Sequence, residues 1–305
     1  MEQMNRREFI KYAAFATAVF GGCRRDWQPV FDINPYLSEA SIDAVVSSSG
    51  RYLATDKILY SSGRRYKPTE KVSLMDMEEQ RFYNLPQNAC PISVADNGSV
   101  LYYIKGGDAE YGPLLYRIDK PILVFEYPNW QISDSKLSHD GQVIGLTNNQ
   151  GFVLLDVNTC DQILEGEGRL MAISGDGKKI IYRTEEYEPR RREKAYSYTS
   201  MDTEKRDEFK FMSTSLGIKA DFMLSNMGNA FVLSRSYSSG RTVLNVRKAV
   251  KGNALAPLIG YNPSAVLEGI GSLRQIIRVE DDGTVYSADG RVIKFIARRP
   301  LIKRR

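Results

Sequence analysis

One histidine, His139, and three cysteines, Cys23, Cys90 and Cys160, limit the chemistry open to this 305-residue chain. A single imidazole excludes His-pair metal centres and mechanisms that pass protons between several histidines. A cysteine nucleophile needs a nearby base to form its thiolate, and His139 falls on a predicted turn, away from such a role. No Gly-x-Ser-x-Gly elbow occurs, so a hydrolase serine has no local signature either. The chain is rich in aspartates beside glycine: Asp140-Gly141, Asp176-Gly177, Asp282-Gly283 and Asp289-Gly290, with Asp96 two residues before Gly98. None opens an Asp-x-Asp/Asn-x-Asp/Asn-Gly loop with a distal glutamate, so they read as turn formers and not as calcium ligands. The residues therefore assign no catalytic group, no metal and no cofactor. One catalytic route stays open, that of a hydrolase or lyase whose carboxylates converge from distant repeats in a common channel.

The elements that would position such groups repeat along the chain. Six segments share an apolar strand, a small or acidic residue, a glycine and a second apolar strand, and their glycines are Gly50, Gly98, Gly141, Gly177, Gly228 and Gly283. Successive glycines lie 48, 43, 36, 51 and 55 residues apart, and the 283 residues from Cys23 onward divide by six to about 47. That is the period of four-stranded β-propeller blades. The Asp-Gly pairs predict two-residue hairpins of the primed type, with positive φ at both central positions. No long amphipathic helical pattern interrupts the repeats after residue 40, which excludes a parallel α/β architecture. The expected fold is all-β, a propeller of six blades with four antiparallel strands each; seven irregular blades is the alternative. The last unit shows only three strands, so its fourth is expected from Trp27–Ile33 or from the strand near Asp43–Val46.

Leu137-Ser138-His139-Asp140-Gly141-Gln142-Val143-Ile144 and Ile173-Ser174-Gly175-Asp176-Gly177-Lys178-Lys179-Ile180 resemble the Ser-x-Asp-Gly-x-x-Ile signature of TolB-like propeller repeats. Leu224–Gly228 and Val94–Gly98 are weaker copies. The resemblance implies a fold and no activity. Two tryptophans, Trp27 and Trp130, are too few for sialidase-type or quinone-dehydrogenase propellers.

At the N-terminus, Arg6, Arg7, Phe9 and Lys11 precede a short apolar run, Tyr12 to Phe20, which ends at Gly21-Gly22-Cys23. Nine residues are too few to span ~30 Å of hydrocarbon, which takes roughly 20. The paired arginines with their offsets resemble a twin-arginine export signal, and Gly21-Gly22-Cys23 resembles a lipobox with Phe20 in place of Leu, Val or Ile. This implies acylation of Cys23 and a protein anchored on the periplasmic face of the outer membrane, with the outer face of the cytoplasmic membrane as the alternative. In that oxidising setting Cys90 and Cys160, 70 residues apart, are expected as unpaired core thiols.

The formal charge of +5 is unevenly placed. The segment before Cys23 carries +1 and the tail residues Arg298, Arg299, Lys303, Arg304 and Arg305 carry +5, leaving the body near −1. A body without a basic face is not a nucleic-acid binder. One internal segment does concentrate charge: Glu185 to Lys194, where Arg190, Arg191 and Arg192 follow Pro189 and are flanked by Tyr187, Tyr196 and Tyr198. Tyrosine with arginine is the pairing that recurs at binding hot spots. These six residues are the expected contact with a protein or glycan partner, and the chain is expected to act as a monomeric binding scaffold. The domains read as a signal peptide over 1–22, anchor and linker over 23–40, propeller over 41–297 and basic tail over 298–305.

Overall fold

The computed structural model describes residues 45–55, 73–79, 81–86, 89–104, 113–118, 123–124, 132–188, 193–216, 218–237, 242–248, 265–267, 276–287 and 291–293. The export-signal residues Arg6, Arg7, Phe9 and Lys11, Cys23, the segment Trp27–Ile33, the tail and Arg190, Arg191 and Arg192 lie outside them. Among the described residues no helix is long and apolar enough to cross a membrane.

The described strands form six antiparallel sheets. The first holds β1 (Val45–Val46), β2 (Tyr52–Thr55), β3 (Ser73–Asp76) and β4 (Arg81–Asn84), and the second β5 (Ala89–Val94), β6 (Val100–Ile104), β7 (Leu114–Tyr116) and β8 (Leu123–Val124). The third holds β9 (Asp134–Leu137), β10 (Val143–Thr147), β11 (Gly151–Asp156) and β12 (Gln162–Glu167). The fourth holds β13 (Arg169–Ile173), β14 (Lys179–Glu188), β15 (Glu193–Asp202) and β16 (Glu208–Ser215). The fifth holds β17 (Lys219–Leu224), β18 (Ala230–Ser236), β19 (Thr242–Lys248) and β20 (Ala265–Val266), and the sixth β21 (Ile276–Val279), β22 (Val285–Ser287) and β23 (Val292–Ile293). Each sheet is a meander in chain order, as the repeat predicts. Val45–Val46 pairs with β2 of the first sheet, so it does not supply the fourth strand of the last one.

The described residues divide into two compact units, one up to Leu137 with Arg291, the other over Ser138–Ser287 with Val292 and Ile293. In the first, Ala54, Leu74, Val100 and Tyr102 close a core between the first two sheets. In the second, the fourth sheet is packed on both faces. Ile180, Tyr182 and Met201 meet Phe152 and Leu154 of the third sheet, while Ile181 and Tyr198 meet Phe222, Phe231 and Leu233 of the fifth. Tyr198 and Phe222 pack with ring centroids 5.2 Å apart, and Phe211 sets its ring edge-on to Phe222 at 5.8 Å. The buried rings of Tyr198 and Phe222 contribute about 1.5–3 kcal/mol of transfer free energy each.

The turn between the first two strands is the same in all six sheets. Its glycine N–H donates to the carbonyl three residues earlier: Gly50 to Ser47, Gly98 to Ala95, Gly141 to Ser138, Gly177 to Ser174, Gly228 to Ser225 and Gly283 to Glu280. Only the glycine has positive φ, between 67° and 88°. The aspartates before it do not, which corrects the primed two-residue hairpin: the loop is a β-turn followed by a left-handed glycine, the longer hairpin connection. Cys90 is a buried thiol in β5; Cys160 is exposed, in a turn at φ 61°, and is therefore not the core thiol the sequence suggested.

Candidate functional site

The serine and aspartate of the repeat serve the turn itself. Ser138 Oγ accepts from Val143 N–H at 2.9 Å and donates to Asp140 Oδ1 at 2.6 Å, and Asp140 Oδ1 also accepts from Gln142 N–H at 3.0 Å. Ser174, Asp176, Lys178 and Lys179 repeat the arrangement. In the fifth sheet the aspartate position is Met227, and the missing carboxylate arrives from the next repeat. Asp281 Oδ1 accepts from Ser225 Oγ at 2.6 Å, Met227 N–H at 3.1 Å and Asn229 N–H at 3.3 Å. The first sheet has Ser49 at that position, and Asp96 of the second sheet accepts from Ser49 N–H at 2.6 Å. Consecutive turns of the second unit are also joined through backbone, Asp140 N–H donating to Gly175 O and Asp176 N–H to Asn226 O. Gly175 is required there by close approach, since a Cβ would stand 2.8 Å from Asn226 Cα and 2.9 Å from His139 Nδ1. His139 is thus a packing residue of this row.

A second set of aspartates, which the sequence reading passed over, shapes turns between third and fourth strands. Asp76, Asp156 and Asp202 each accept from the N–H groups two and three residues ahead. The shared spacing of Asp156 to Asp161 and Asp202 to Asp207 was the signal available for the latter two. Asp76 is 1% exposed and paired with Arg51, whose Nη2 lies 2.8 Å from Oδ2. Burial opposes the charge on Asp76, but the Arg51 guanidinium and the Glu79 and Glu78 amides outweigh it and hold the carboxyl below its usual range.

The ribbon of β14 and β15 carries the contact residues expected from sequence. β13 pairs with β14 only from Ile180 to Arg183, and β16 follows β15 only as far as Ala195, so the outer part of the ribbon runs beyond its sheet. Tyr187 near its tip is 63% exposed. Tyr196 is half-buried beneath Arg183, whose guanidinium carbon lies 3.9 Å from the ring centroid. Tyr198 is fully buried in the core with Phe222, so it is not a surface contact. Its register partner is Arg183, which places it on the same face as Ile181.

Alternation along the ribbon gives its two faces different surroundings. Tyr182 and Thr184 line a groove of about 420 Å³ with Glu165, Glu167, Arg206 and Glu208, and Glu186 follows them on the same face of β14. Burial and Glu208 push the Tyr182 hydroxyl up to about 12. Lys210 pairs with Glu186 and holds it below the usual carboxylate range. Among the described residues, Asp76 and Glu186 are the carboxylates with displaced pKa values, each lowered by a cation. No group of three or more His, Cys, Asp or Glu gathers as a metal site among those residues.

No family model matches the chain, and no curated protein matches it in sequence. Solved structures do. The β-propeller domain of the trilobed protease from Pyrococcus furiosus, described with an open velcro topology, is 12% identical over 84% of each chain, with a TM-score of 0.50. The tricorn protease matches at 12% identity and TM-score 0.46 over 70% of this chain, which spans 22% of that protein. A protein described as a TolB from Agrobacterium tumefaciens matches at 12% identity over 83% of this chain and 79% of its own, with TM-score 0.41. Repeated antiparallel meanders, the same glycine turn in each sheet and the likeness to the Pyrococcus domain lead to one conclusion about architecture: this chain is a β-propeller.

Proposed function

We propose that the chain is an exported, lipid-anchored six-bladed propeller that acts as a binding scaffold and presents the β14–β15 ribbon to a protein or glycan partner. The observation that carries this reading is the ribbon's extension past its paired strands, with Tyr187 63% exposed. The fourth sheet, packed on both faces by its neighbours, leaves recognition to its connections. Tyr187 supplies apolar area at low entropic cost, and Arg190, Arg191 and Arg192 follow it in the same connection with charge for acidic groups. Tyr196 belongs to the base of the site through its stack with Arg183. The export motif around Arg6 and Arg7 and the lipobox at Cys23 supply the placement: the periplasmic face of the outer membrane, with the outer face of the cytoplasmic membrane as the alternative.

Crosslinking and pull-down of the native lipoprotein from membranes tests the contact. Replacing Arg190, Arg191 and Arg192 together with Ala is expected to remove a specific partner while the melting temperature stays unchanged. Retention of every partner by this variant removes the ribbon as the contact. Placement has its own check by fractionation: Cys23→Ala is expected to move the protein from the membrane to the soluble extract, and paired Lys at 6 and 7 to keep it inside the cell. Unaltered fractionation of both variants overturns the anchor.

A further inference from the structure

On the opposite side of the ribbon from the acidic groove, the fifth sheet carries two arginines, Arg235 and Arg247, that form no ion pair among the described residues. The register of β18 and β19 pairs Arg235 with Val243, Leu233 with Asn245 and Phe231 with Arg247. Cross-strand partners share a face, so Arg235, Asn245 and Arg247 stand on the face that packs Phe231 and Leu233 against the fourth sheet. Asn245 is 4% exposed. The Nε atoms of Arg235 and Arg247 and the amide nitrogen of Asn245 are all buried without a hydrogen-bond partner. No ion pair among the described residues engages either arginine. Described neighbours on this face of β17–β19 are Ala220, Phe222, Leu224 and Val243, none of them acidic. The facing side of the ribbon brings another cation, Arg183, and one carboxylate, Glu185, which is solvent-exposed. Burial lowers the pKa of Arg247, and the proximity of Arg235 lowers it further, so the two guanidinium groups are near enough to repel.

Two half-buried guanidinium groups whose buried Nε–H donors lack partners, with a buried, unpartnered amide NH2 between them on one face, form an arrangement complementary to an oxyanion. We infer that Arg235, Asn245 and Arg247 form a binding site for a small oxyanion, a carboxylate or phosphate group, between the fourth and fifth sheets. Arginine is suited to the task because its planar fork matches both groups in bidentate geometry. The site goes beyond the partner contact on the ribbon: it draws on different residues and a different ligand class, and either can fail alone.

Thermal unfolding in a low-salt chloride buffer is the test, with inorganic phosphate and citrate as separate probes and sodium chloride at matched ionic strength as the control. Wild type is expected to gain about 5 °C at a hundredfold excess of the bound anion over its Kd. The phosphate and citrate arms separate the two sources of the charge. Arg247→Met is expected to lose that gain. Without an added oxyanion it should melt at or above the wild-type temperature, because a half-buried cation beside another cation is gone. Arg235→Gln, at a second position, should weaken the gain at least tenfold in anion concentration. A gain equal to that in chloride, or one that persists in both variants, overturns the site. So does an Arg247→Met variant that melts well below wild type in the absence of anion, since the arginine would then be a packing element.

Discussion

Asp281→Ala is expected to lower stability by about 2–4 kcal/mol, because three donors of the neighbouring turn lose their one acceptor. Ser225 is fully buried, and its Oγ donates to Asp281 while accepting from Ala230 N–H, so removing the carboxylate strands a hydroxyl with no route to water. For a chain of this size the melting temperature should fall by roughly 5–10 °C. Met227→Asp separates this account from a general loss of packing. In the wild-type background it sets a second carboxylate against the turn that Asp281 already serves, and like charges there should destabilise. In the Asp281→Ala background it recreates the in-turn pair seen between Ser138 and Asp140, and most of the lost stability should return. A double-mutant cycle by chemical denaturation reads the coupling directly. Additive losses would show that Asp281 does not stand in for the residue at position 227.

That substitution also explains what could be read from the sequence and what could not. The six glycines and the four-strand repeat were legible because a left-handed residue is needed at one place per turn and glycine fills it every time. The Ser-x-Asp-Gly copies were strongest where serine and aspartate bond within one turn, at Ser138 and Ser174. They looked weak at Ser225 because the carboxylate had moved 54 residues along the chain, from the position of Met227 to Asp281, which meets the preceding turn. A one-dimensional pattern search misses a partner displaced by a whole repeat. Tyr198 misled for a different reason. Alternation normally leaves every second residue of a strand in water, but the fourth sheet has a core on each face, with Tyr182 in one and Tyr198 in the other. Polar-looking stretches such as Ser197 to Ser200 are then buried whichever way they point. The proposed oxyanion site was hidden by the same geometry, since Arg235 and Arg247 lie on different strands and are set on one face, on either side of Asn245, only by the register of β18 and β19.

The largest single effect is expected at Arg51. Its guanidinium donates through Nε and Nη2 to Asp76 Oδ2 at 3.0 and 2.8 Å, and Asp76 is 1% exposed, so Arg51→Met leaves an anion buried with only the Glu78 and Glu79 amides for company. Breaking a buried pair from one side costs about 3–5 kcal/mol, well above the worth of the exposed contacts that Arg51 makes with Glu78 and Glu79. The pH dependence identifies the cause. In the wild type the Asp76 carboxyl is held below its ordinary value, so its contribution is fully present above the unfolded-state pKa and is lost as pH falls through the lower folded-state pKa. In Arg51→Met burial is the larger influence left, and the folded-state pKa should rise. The variant is then expected to regain stability as pH drops into the carboxylate range, while the wild type gives its own up. The gap between the two should be widest near neutral pH and narrow on acidification, as read by urea midpoints across a pH series. Asp76→Asn in the Arg51→Met background should abolish that narrowing, because the titrating group is absent. A gap that stays constant with pH would place the loss in the stacking of Arg51 on Tyr52, 5.1 Å from its ring centroid, and not in the buried charge.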